Sequence, residues 1–113
     1  PTNDDITKHV LCELFNTELE FNQQAYDGMA KYVLARNQEI NENNKTQAQF
    51  PKAAKLIPNP CGTASGMWFE KNGTVVISLP GVPHEMKAIM TESGIPWLKA
   101  FFLNLKQICF FLS

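Results

Sequence analysis

The sequence has little of what would mark several common protein classes. Its three cysteines, Cys12, Cys61 and Cys109, stand far apart, with no CxxC pair and no Cys/His spacing of the kind that holds zinc. They read as reduced thiols, which places the chain in the cytoplasm. No basic run or stripe is present, and 10 Lys+Arg stand against 11 Asp+Glu for a net charge of -1, so nothing advertises a nucleic-acid surface. No apolar stretch reaches the roughly 18 residues of a membrane span. The nearest, FFLNLKQICFFLS, is interrupted by Asn104, Lys106 and Gln107. There is no secretory signal, so the sequons at Asn44 and Asn72 are not expected to carry sugar. Neither an internal repeat nor a low-complexity linker appears. The first residue is proline, followed by TNDD with no strand or glycine loop before it, which reads as a piece of a longer chain.

What is there is ordinary globular material. The 113 residues are 44% hydrophobic and 19% charged, enough for one small domain. DDITKHVLCELFN predicts a helix, with Ile6, Val10, Leu11 and Leu14 as its apolar stripe. Thr2 and Asp5 resemble a capping box. FNQQAYDGMAKYVLARNQ predicts a second helix with Ala25, Met29, Tyr32 and Val33 inward, weakened at Gly28 by about 1 kcal/mol relative to alanine. INENNKTQAQFP has room for one helical turn before Pro51. AKLIPNP, MWFE and TVVISLP predict strands, the last two joined at Asn72-Gly73 by a tight primed turn. A third helix is expected over VPHEMKAIMTESG, entered at Pro83 and stopped by Gly94 and Pro96. The order is α/β, yet three strands cannot cover both faces of a sheet flanked by helices, so further strands are expected upstream of Pro1.

The chemistry concentrates in two stretches. In LPGVPHEM, Pro80 ends the strand, Gly81 allows a tight turn and close approach of a ligand, and Pro83 suits the first helical position. The strand-to-helix junction so formed suits an anion such as phosphate. Glu85 falls in the first turn of that helix, and Asp4 and Asp5 in the first turn of the opening one. Acids there stabilise a helix by roughly 0.3–1 kcal/mol each, which alone accounts for them. If both junctions face one pocket holding phosphate, however, three carboxylates require a divalent cation, and Mg2+ is the one held by carboxylates plus phosphate. The loop NPCGTASG offers side-chain hydrogen bonds from Asn59, Thr63 and Ser65 and close approach at Gly62 and Gly66, fitting a ribose or phosphate pocket or simply a connection before a hairpin. His84 reads as a surface residue. Cys61 has no base near it in sequence and is not expected to be a nucleophile. Trp68, Phe69, Tyr26 and Tyr32 read as packing.

PTNDDIT, NNKTQAQFPKAAKLIPNPCGTASG and ISLPGVPHEM, in that order, resemble the amino-terminal domain of the competence/damage-inducible protein A (CinA) family. This belongs to the molybdopterin-binding superfamily with the MoaB and MogA proteins and the gephyrin G domain. The resemblance covers residues 1–97. It leaves 98–113 as an atypical apolar tail, and Ser65 stands where the family commonly has proline.

The resemblance implies a three-layer α/β/α sandwich of the MoaB/MogA type, of which this chain holds the second half, the glycine-rich turn before PTNDDIT being absent. It implies Mg2+-dependent hydrolysis of ADP-ribose-like nucleotides by the complete domain, in pyridine nucleotide recycling. Asp4 and Asp5 would be the catalytic residues and, with Glu85, the metal ligands. Thr2, Asn59, Gly62, Thr63, Gly81 and Pro83 would contact the substrate. The expected partner is a nucleotide or pterin, with neither nucleic acid nor membrane, and a homo-oligomer is expected. The rival expectation is a molybdopterin- or nucleotide-binding module without hydrolysis; a third is a truncated chain without function.

Overall fold

The computed structural model describes residues 3–112, with side chains from Ile6 to Leu112. The elements are α1 (Asn3–Leu14), β1 (Leu19–Phe21), α2 (Gln23–Ala35), α3 (Glu42–Lys45), β2 (Gln49–Pro51), β3 (Lys55–Ile57), β4 (Gly66–Lys71), β5 (Thr74–Leu79), α4 (Pro83–Ile89), α5 (Ile95–Phe101) and β6 (Gln107–Leu112). A four-stranded mixed sheet runs β3-β4-β5-β6, antiparallel except for the parallel pair β5 and β6, and β1 pairs separately with β2. The chain is thus α/β, as expected. Among the described residues no helix is long and apolar enough to cross a membrane.

Strand alternation builds two cores, because successive side chains leave a strand on opposite faces. Leu56, Met67, Phe69 and Val76 face α1 and α2 and meet Leu11, Ala25 and Phe50. Ile57, Trp68, Val75, Ile77 and Leu79 face the other way and meet Ile89, with Met86, Trp97 and Phe101 packed against them. Helices therefore cover both faces of one sheet, giving three layers. Phe15 stacks on Phe69 at 4.3 Å between centroids on the first face. On the second, Trp68 meets Trp97 edge-on at 5.8 Å and Phe101 at 6.2 Å. The β4–β5 hairpin turns at Asn72 (φ 53°) and Gly73 (φ 83°), the two left-handed residues of a primed turn.

Four details depart from expectation. The stripe on α1 faces outward: Ile6, Val10 and Leu14 are about half exposed, while Lys8, Leu11 and Cys12 are buried. At about 100° per residue, Lys8, Leu11, Cys12 and Phe15 share one face and Ile6, Val10 and Leu14 the opposite one. The expected stripe mixed the two through Leu11. Burial pushes the Cys12 thiol pKa up, with a smaller push from Glu18.

Second, Gly94 and Pro96 do not stop the helix. A π turn at Met90–Gly94 joins α4 to α5, with Ile95 N–H donating to the Met90 carbonyl five residues back. Pro96 then lies in the first turn of α5, where its missing N–H costs little. Gly94 serves close packing instead, since a Cβ there would sit 2.5 Å from Met90 Sδ.

Third, β1 and β2 were not expected, being three residues each with one polar residue apiece. Fourth, the apolar tail completes the sheet. Lys106 N–H donates to the Gly73 carbonyl at 2.7 Å, and β6 runs beside β5 from Thr74↔Gln107 to Leu79↔Leu112.

Candidate functional site

The two stretches singled out in the sequence meet. After β3, Asn59 closes its own loop: its Oδ1 accepts from Cys61 N–H at 2.9 Å, and its Nδ2 donates to the Ala64 carbonyl at 2.8 Å. The same Nδ2 donates to Glu85 Oε1 at 2.8 Å, tying the loop to α4. Gly62 is required by this approach, because a Cβ there would lie 2.7 Å from Glu85 Cδ and nearer still to Oε1.

The junction after β5 is built as its prolines dictate. Val82 caps α4 with extended dihedrals and no side-chain bond, and Pro83 opens the helix. The N–H groups of Glu85 and Met86 both donate to the Val82 carbonyl at 3.0 Å. Glu85 folds back from this first turn toward the loop, half-buried.

A cleft of about 330 Å³ lies between loop and junction, walled by Gly62, Thr63, Gly81, Glu85 and Tyr32. A second cleft of about 530 Å³ adjoins it, sharing Gly62, Thr63 and Tyr32 and running along α2 past Lys31 and Arg36. Both fall within the usual size of a small-molecule site.

Of the expected site residues, Asn59, Gly62, Thr63, Gly81 and Glu85 come together here. Pro83 shapes the helix start without lining either cleft. Thr2, and with it the expected capping box, lies outside the described residues, as do the side chains of Asp4 and Asp5, whose backbone forms the first turn of α1. His84 is exposed, as expected. Among the described residues no three of His, Cys, Asp and Glu cluster as a metal site. Glu85 brings one carboxylate, and one of its oxygens is engaged by Asn59.

Sequence reasoning missed the contribution of α2. Tyr32, expected in the core, is half-buried and lines both clefts. The Arg36 guanidinium lies 3.5 Å from the centroid of its ring, and Arg36 Nη1 donates to the Tyr32 carbonyl at 3.3 Å. The signal was an aromatic and an arginine four residues apart at a helix end, where such a pair meets on one face.

Residues 1–100 match the model of the family described as "Probable molybdopterin binding domain". The chain belongs to that family. Among its relatives, the CinA-like protein of Cytophaga hutchinsonii is 48% identical over 99 residues, 88% of this chain and 24% of that protein. The putative competence-damage inducible protein of Clostridium acetobutylicum is 41% identical over 101 residues, 89% of this chain and 25% of that protein. The chain is also similar to the crystal structure of the protein CinA, with unknown function, from Thermoplasma acidophilum. That likeness has a TM-score of 0.69 at 30% identity, over 85% of this chain and 56% of that one. The chain spans about a quarter of the length of these curated relatives.

Proposed function

We infer that this domain binds a pyrophosphate-bridged nucleotide such as ADP-ribose, and that the complete protein hydrolyses its diphosphate with Mg2+. The observation that carries this reading is the convergence of the Asn59–Gly66 loop and the Gly81 junction on one cleft, with Glu85 fixed at its edge by Asn59. Gly81 leaves backbone open to close approach, and Thr63 offers a hydroxyl to a ribose or phosphate oxygen.

The donor set fits a hard cation. Mg2+ needs only one or two protein carboxylates when phosphate oxygens and water complete its shell. Glu85 would supply the oxygen that Asn59 leaves free, and Asp4 and Asp5 the remaining carboxylates. When bound, the ion would neutralise charge on the phosphoryl oxygens and acidify a water. The protein's own part is to orient: Asn59 holds Glu85 in place, Gly62 makes room for it, and Gly81 admits the diphosphate. The free thiols of Cys12, Cys61 and Cys109 support a reducing compartment, the cytoplasm.

A second reading, a molybdopterin binder without hydrolysis, is favoured by the description of the matched family. One assay separates them. A version extended to the length of the relatives is incubated with ADP-ribose and Mg2+. AMP release, lost with EDTA and with Glu85→Gln, supports hydrolysis. Saturable pterin binding without turnover of ADP-ribose supports the second reading and rejects the first.

A further inference from the structure

The larger cleft lies between the Asn59–Gly66 loop and α2, a helix to which the motifs assigned no role, and its chemistry differs from that of the smaller one. Among the described residues Glu85 is the one charged residue lining the smaller cleft, so that lobe calls for a cation when phosphate is present. In the larger cleft the charges cancel: Lys31 and Arg36 face Asp27 and Glu92. A balanced lobe has no preference for a dianion and suits a neutral polar group. Tyr32 forms the shared wall, and Arg36 Cζ sits over its ring, 3.5 Å from the centroid, anchored by the bond to the Tyr32 carbonyl. A guanidinium stacked in this way has a second face, and such planes stack well on heterocyclic bases. Gly28 adds room, since nothing lies within 4 Å of a Cβ placed there.

Resting on the reading that the ligand is a nucleotide diphosphate, we propose that the larger cleft is the nucleoside lobe and that the Tyr32–Arg36 stack is the platform for its base. The diphosphate occupies the smaller lobe, and the ligand bends around Gly62 and Thr63, which line both. Arg36 thereby selects nucleoside-bearing diphosphates over pyrophosphate or a sugar phosphate alone.

The test is calorimetric titration of the 113-residue chain with ADP-ribose and, separately, with inorganic pyrophosphate, each with Mg2+. Arg36→Ala and Arg36→Lys should both weaken ADP-ribose about tenfold, the loss of one stacked base, and leave pyrophosphate unchanged. Lysine keeps the charge but lacks the planar face, so an undiminished Arg36→Lys variant would overturn the platform. So would equal weakening of pyrophosphate, or no change in either ligand. Gly28→Leu provides an independent arm: it fills the lobe at a position where leucine favours the helix more than glycine does. It should block ADP-ribose while pyrophosphate still binds; unimpaired ADP-ribose binding would also overturn the assignment. If the unsubstituted chain binds pyrophosphate but not ADP-ribose, the lobe assignment falls. If it binds neither, the nucleotide reading itself falls and takes this one with it.

Discussion

The Asn59 side-chain amide donates to Glu85 Oε1 and to the Ala64 carbonyl, each at 2.8 Å, so one nitrogen holds both the loop and the carboxylate in place. Asn59→Asp replaces that donor with a second carboxylate. Two adjacent carboxylates repel, and the Ala64 carbonyl loses its partner. The variant should be about 1–3 kcal/mol less stable at pH 7 by urea unfolding.

Gly62→Ala should leave the fold intact and misplace Glu85. The obstructing atoms are the far end of a flexible side chain, so the stability cost is expected below about 1 kcal/mol. Binding of ADP-ribose, if Glu85 takes part, should drop about tenfold, a difference of about 1.4 kcal/mol. Gly66→Ala is the contrast. Its Cβ would come 3.1 Å from Ile57 Cβ inside the sheet, and overpacking there should cost about 1–3 kcal/mol. Thermal melts and titrations of the two variants should show opposite profiles.

Ser78→Ala should stabilise the protein. Ser78 is 1% exposed and its hydroxyl has no hydrogen-bond partner among the described residues. Removing an unpaired buried hydroxyl recovers about 1 kcal/mol, which for a domain of this size raises Tm by about 4 °C. A fall in Tm would mean that the hydroxyl is satisfied in solution.

Much of this was legible in the sequence, for reasons that differ by element. The β4–β5 hairpin was readable because Asn72-Gly73 is a local solution to a local problem. The Asn59–Gly66 loop and the α4 junction were readable because proline and glycine fix their own dihedrals. The face of α1 was not, because helical spacing identifies a stripe without saying what covers it. The π turn was hidden for a related reason: Gly94 and Pro96 look like stops until Met90 packs over the glycine. Tyr32 could be placed in the cleft only once α2 was set beside the Asn59 loop, a contact between segments far apart in sequence.

The Glu18–Lys52 pair sets an expected pH and salt profile. Lys52 Nζ lies 2.7 Å from Glu18 Oε1. The hydrogen bond and the charge of Lys52 hold Glu18 below 4.5, and the same partner lifts Lys52 above 10.5. Glu18's contribution is therefore complete above its unfolded value and lost as the pH falls through its folded one. Lys52's is complete below its unfolded value and lost as the pH rises through its folded one. Both side chains are well exposed, so the effect is small. Glu18→Gln should lower Tm slightly at neutral pH and low ionic strength, and the difference should vanish in 1 M NaCl.

The π turn at Met90–Gly94 carries one residue more than a regular helix would need there. Winding the same residues as a regular α-helix would rotate everything downstream by about 100°. Trp97 would swing off the edge of Trp68, Lys55 would lose the indole now 4.1 Å from its Nζ, and the last strand would be offered to the sheet out of phase. The wide turn is thus the fold's angular adjuster: it sets where the final third of the chain points.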